Sequence, residues 1–99
     1  RIKLGEGNCF FHNSIVNANT EICDNNIINN KVLIEHDTFV GSNNHLSTGS
    51  IINGKCIIGN NNFIGSGVII NNNIKIGNNC IIASGKIIKK NVKNNSKII

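Results

Sequence analysis

Ile52-Asn53-Gly54-Lys55-Cys56-Ile57-Ile58-Gly59-Asn60-Asn61-Asn62-Phe63-Ile64 contains the same pattern twice: an aliphatic anchor, a polar corner rich in Asn and Gly, and an apolar pair closing the unit six residues on. Outward from this stretch the period persists in both directions. Leu4, Phe10, Val16, Ile22, Ile28, Ile34, Val40, Leu46, Ile52, Ile58, Ile64, Ile70, Ile76, Ile82 and Ile88 are all large and apolar, in a chain that is only 39% hydrophobic. A period of six matches neither the 3.6 of a helix nor the alternation of a plain strand, whereas a short strand plus a corner satisfies it. Asn and Gly suit such corners because they tolerate positive φ. Four residues after most anchors stands a small or β-branched side chain, as in Thr20, Val32, Thr38, Cys56, Val68 and Cys80. Three units make one triangular coil of about 18 residues, and stacked coils pair through parallel ladders ~4.8 Å apart. The expected fold is all-β, a parallel β-helix of hexapeptide repeats with about five coils over residues 1–93, followed by a tail at 94–99.

Ninety-nine residues suffice for one domain, whose stability calls for repetition or partner subunits. No proline, methionine, tryptophan or tyrosine occurs. The net charge of +5 is concentrated in Lys86, Lys89, Lys90, Lys93 and Lys97, without the interleaved aromatics of single-stranded nucleic-acid binders, so nucleic acid is not expected as a partner. No apolar run approaches the ~20 residues of a membrane span and no signal-peptide pattern opens the chain, which makes the cytoplasm the expected setting. Cys9, Cys23, Cys56 and Cys80 form no C-x-x-C pair, which argues against a structural metal or a disulfide framework.

Stacking places residue n beside n + 18, so columns can be read from the sequence. The residue before each anchor points outward. One outward column, Ile15, Leu33, Ile51, Ile69, Ile87, is wholly aliphatic and calls for burial in an oligomer interface. The others run Glu21, Phe39, Ile57, Lys75, Lys93 and Cys9, Ile27, His45, Phe63, Ile81. A set of small columns, Ser47-Gly65-Ala83, Thr48-Ser66-Ser84 and Gly49-Gly67-Gly85, leaves either a shallow channel for a thin ligand or simply a tight corner.

Among His12, His36 and His45, the second stands out in Ile34-Glu35-His36-Asp37, with a carboxylate on each side and Gly54 next in its column. A carboxylate can fix the imidazole tautomer and raise its basicity, as a general base for acyl transfer requires.

This segment, together with Val40-Gly41, His45-Leu46-Ser47-Thr48-Gly49 and Ile58-Gly59-Asn60-Asn61-Asn62-Phe63-Ile64-Gly65, resembles the sialic acid O-acetyltransferase and UDP-bacillosamine N-acetyltransferase family of hexapeptide-repeat enzymes. The resemblance runs from about Gly5 to Val92. It implies a left-handed coil, a homotrimer, acetyl-CoA as donor and a sugar or nucleotide-sugar acceptor. By position it implies His36 as catalytic base, Asp37 as its acidic partner, His45, Gly54, Ser66 and Ser84 as acetyl-CoA contacts, and Asn29 and Glu35 on the acceptor side. The chain departs from the family pattern at Asn30, where the family has threonine, and at Ile82-Ala83-Ser84-Gly85, and the family's nucleotide-sugar-binding N-terminal domain is not seen in it. Two alternatives share the fold: a non-catalytic scaffold, and a γ-class carbonic anhydrase with zinc between subunits. The latter calls for a closely spaced histidine pair, which is absent from this sequence.

Overall fold

The computed structural model describes residues 1–99, and every regular element in it is a two-residue strand. In chain order these are β1 (Lys3–Leu4), β2 (Cys9–Phe10), β3 (Ile15–Val16), β4 (Glu21–Ile22), β5 (Ile27–Ile28), β6 (Leu33–Ile34), β7 (Phe39–Val40), β8 (His45–Leu46), β9 (Ile51–Ile52), β10 (Ile57–Ile58), β11 (Phe63–Ile64), β12 (Ile69–Ile70), β13 (Lys75–Ile76), β14 (Ile81–Ile82), β15 (Ile87–Ile88) and β16 (Lys97–Ile98). Three parallel sheets result. Sheet A runs β1-β4-β7-β10-β13, sheet B β2-β5-β8-β11-β14-β16, and sheet C β3-β6-β9-β12-β15. Each strand therefore pairs with the third one on, as an eighteen-residue coil demands, giving a β-solenoid of about five coils.

The anchors fill the interior. From Ile22 to Ile88 all twelve are buried, each removing an aliphatic side chain from water at a gain of roughly 1.5–3 kcal/mol. Leu4 and Phe10 remain 55% and 39% exposed because they sit on the edge coil, with a neighbour on one side only.

The corners are held by side chains that replace backbone partners. Between sheets A and B, Asn8, Asn26, Asn44 and Asn62 stack, and each Oδ1 accepts the N–H of the residue one coil on, at 2.8 to 2.9 Å. Their amides donate to Cys23, Gly41, Gly59 and Gly77 carbonyls. Between sheets C and A, the Thr20 and Thr38 hydroxyls and the Cys56 thiol donate to the carbonyls of Glu35, Asn53 and Asn71.

The end of the chain departs from the period. Ile76 pairs with Val92 and Ile81 with Lys97, sixteen residues apart rather than eighteen. Val92 takes an inward place four residues after Ile88, because Asn94, the next residue in the six-residue phase, is polar. Two expectations are thereby corrected. Lys75 is followed in its column by Asn91, whose Oδ1 accepts the Lys75 N–H, and not by Lys93. The solenoid also continues into 94–99 through β16.

Candidate functional site

His36 lies on the corner between sheets C and A, at the third place of Ile34-Glu35-His36-Asp37. Asp37 turns the chain there with φ of 58°. That conformation brings its Oδ2 to 2.9 Å from His36 Nδ1. An ionised carboxylate only accepts, so Nδ1 is the donor, and in the neutral ring this leaves the lone pair on Nε2. The His36 hydrogen bond is the main cause holding the Asp37 carboxyl below its ordinary range; desolvation opposes it, and the charge of a protonated His36, the Asn19 side chain and Lys55 add smaller lowering effects. Half of the His36 side-chain surface is open to solvent, and Nε2 has no hydrogen-bond partner within the chain.

Gly54 is the residue one coil on, and it is buried beneath the imidazole. A Cβ built there would stand 2.8 Å from both Cε1 and Nε2 of His36. The pairing of His36 with Gly54 expected from the eighteen-residue column is thus present, and the ring rests on bare backbone. Glu35 is turned to the other side, where its Oε1 accepts from Asn17 Nδ2 at 2.6 Å.

The other candidates gather on a different corner. Asn29 opens the turn from sheet B to sheet C, its Oδ1 accepts the Asn30 N–H at 2.7 Å, and its amide reaches 3.5 Å from His45 Nε2. His45 projects outward from β8 and packs edge-on against Phe63, with ring centroids 5.3 Å apart. Ser66 and Ser84 are exposed on the same B–C corner, beside Thr48. Gly49, Gly67 and Gly85 form a ridge there with φ of 67° to 75°, and a Cβ on any of them would meet nothing within 4 Å. Packing therefore does not require these three glycines. Gly65 differs, because a Cβ there would lie 2.6 Å from the Ser84 nitrogen. The small columns are part structural necessity and part open surface.

Within one chain the structure joins His36, Asp37 and Gly54, and separately joins Asn29, His45, Ser66 and Ser84. Sheet C, with its aliphatic column, separates the two groups. None of the depressions on the single chain is lined by His36, His45, Gly54, Ser66 or Ser84. No three His, Cys, Asp or Glu side chains converge as a metal site would need. The buried Cys56 thiol is pushed up by desolvation, which leaves it protonated and unreactive. No helix is long and apolar enough to cross a membrane.

Residues 55–90 match the model of the bacterial transferase hexapeptide (six repeats) family. No curated protein matches the chain. Among solved structures, a variant of perosamine N-acetyltransferase from Caulobacter crescentus, in complex with CoA and GDP-perosamine, superimposes with a TM-score of 0.90 at 26% identity, over 94% of this chain and 44% of that one. The acetyltransferase domain of PglB from Neisseria gonorrhoeae, in complex with acetyl coenzyme A, gives 0.93 at 22% identity, over 97% and 47%. LpxA from Acinetobacter baumannii gives 0.61 at 15%, over 93% and 57%. The chain spans less than half the length of the first two. It is a hexapeptide-repeat β-solenoid similar, over nearly all of its own length, to part of a bacterial perosamine N-acetyltransferase, and it shares its fold with the PglB acetyltransferase domain.

Proposed function

We propose that this chain carries the acetyl-transfer site of an acetyl-CoA-dependent sugar acetyltransferase, with an amine or hydroxyl of a sugar or nucleotide sugar as acceptor. The observation that carries this reading is His36, oriented through Nδ1 by Asp37 at 2.9 Å, seated on Gly54, and presenting an unpartnered Nε2. Such a group abstracts a proton from an incoming nucleophile. The acceptor lone pair attacks the thioester carbonyl while its proton passes to Nε2. The tetrahedral intermediate then collapses by breaking the C–S bond, and the thiolate of coenzyme A takes the proton back from the imidazolium. No enzyme nucleophile is required. The similarity to a sugar N-acetyltransferase solved with CoA and a nucleotide-sugar supports both the donor and the acceptor class. A donor made in the cytoplasm suits that compartment.

The placement of the candidates on two corners ties the proposed activity to assembly. In a ring of three copies with sheet C turned toward the axis, the C–A corner of each copy meets the B–C corner of the next. His36, Asp37 and Gly54 of one subunit then face Asn29, His45, Ser66 and Ser84 of its neighbour. In this arrangement the aliphatic column lies along the axis, away from water, and the glycine ridge leaves room for the thin pantetheine arm. Glu35 and Asn29 border the acceptor side.

Purified protein tested with acetyl-CoA and a panel of nucleotide-linked amino sugars, and with sialic acid, is expected to turn over at least one acceptor. His36→Ala is expected to lower kcat by ~10²–10⁴-fold. Full activity in that variant removes the base assignment. A scaffold without catalysis would show neither turnover nor a thermal shift with acetyl-CoA.

A further inference from the structure

The outward face of sheet C has two edges, and the eighteen-residue offset gives the residues along each. The B–C edge carries Asn13, Lys31, Gly49, Gly67 and Gly85, and the C–A edge carries Asn17, Glu35, Asn53, Asn71 and Lys89. Lys31 is the one charge on the first edge, and Glu35 is the one acid on the second. The two flank Leu33 within a single coil. Being four residues apart, they differ in level along the solenoid by about 1 Å at ~4.8 Å per coil. Lys89, the other charge on these edges, lies three coils beyond Glu35.

Neither charge is balanced within its own chain, where His36 with Asp37 is the only ion pair. Lys31 is exposed, and only its backbone N–H is engaged, by the His12 carbonyl. Glu35 is half-buried. Ile34 points inward, so Leu33 before it and Glu35 after it both lie on the outward side of the sheet. Asn17 Nδ2, 2.6 Å from Oε1, holds the carboxylate there, and Oε2 has no partner in the chain. A partly desolvated carboxylate fixed by a neutral amide is strengthened by a cation.

We propose that Lys31 of each copy pairs with Glu35 of the next, and that this ion pair sets the register of the assembly. A rotation axis parallel to the solenoid leaves axial levels unchanged. The row Lys31, Leu33, Glu35 then repeats head to tail around a closed ring, and each cationic end meets an anionic one. Two C faces packed antiparallel and centred on Ile51 would instead bring Lys31 against Gly67 and Glu35 against Asn71, with no charge complement. The aliphatic strip is non-directional and permits both arrangements. The charges at its edges select the parallel one. The inference rests on the ring of three proposed above.

Sedimentation of the full chain is compared with that of Lys31→Glu, Glu35→Lys and the double exchange. Each single reversal sets like charges against each other at every junction, and is expected to raise the concentration of half-assembly by roughly tenfold or more. The double exchange is expected to restore the parent value. Mixing the two single variants places opposite charges at two of the three junctions of a mixed ring, so assembly should recover in part, which misfolded chains could not achieve. Single reversals that assemble like the parent overturn the pair, as does a double exchange that stays dispersed or a parent chain that sediments as a monomer. Acetyl transfer is measured separately on the same samples. Assembly rescued by the double exchange, in a parent that turns over no acceptor, would overturn the proposed function and leave the ion pair standing.

Discussion

Gly54 lacks a side chain where the His36 ring lies, so this single position ties the fold to the proposed base. Gly54→Ala places a methyl carbon 2.8 Å from the imidazole, and the ring must tilt away from it. Misplacement of a reacting group by about 1 Å can cost ~10²-fold in rate. Gly54→Ala is therefore expected to fold, with Tm little changed, and to lose about ten- to a hundred-fold in kcat. A thermal melt and a steady-state assay on the same sample check this, and undiminished turnover would show that the ring position is unimportant. The column rule made the meeting of His36 and Gly54 legible in the sequence, because both obey the same eighteen-residue offset. The Asp37 contact was legible as adjacency and its left-handed backbone as one more corner of the six-residue period, but the aim of its carboxylate at Nδ1 emerges only from the folded side chains.

At the scale of an element, the corner between sheets A and B is held by side-chain amides. Asn44 accepts from Asn62 N–H at 2.9 Å, donates to the Gly59 carbonyl at 2.8 Å, and its own N–H is taken by Asn26. Asn44→Ala would strand a buried donor and a buried acceptor, each costing ~1–3 kcal/mol. A loss of about 2–4 kcal/mol in chemical denaturation is expected, whereas a surface asparagine such as Asn72 should cost almost nothing. An equal effect from both would show that the ladder carries no stability. The spacing of Asn8, Asn26, Asn44 and Asn62 was visible in the sequence, yet asparagine suits a solvent-facing turn equally well. Only its burial inside the corner reveals the ladder.

For the whole molecule, the decisive feature is sheet C, whose outward column of Ile15, Leu33, Ile51, Ile69 and Ile87 lies between the two corners that carry the candidate residues. Leu33, Ile51 and Ile69 shield one another partly, while Ile15 and Ile87 at the ends are 53% and 55% exposed. A continuous aliphatic strip of this kind marks an interaction surface. Ile51→Lys, at its centre, is expected to convert a trimer to monomers in sedimentation, with acetyl transfer lost together with assembly. A parent chain that sediments as a monomer at micromolar concentration would remove both the trimer and the shared site.

The sequence alone determined the repeat, the coil and the inward face, because one apolar residue every sixth position leaves a single way to gather the anchors on one inward face. It also determined which residues stack from Leu4 to Ile88, since register in a solenoid is simple arithmetic. The shortened last coil was decided by the tertiary structure, where a polar Asn94 yields its inward place to Val92. What closure of the coils added is the place of sheet C between the two corners, since the nine-residue, half-coil spacing of His36 and His45 had by itself set them only on different sides.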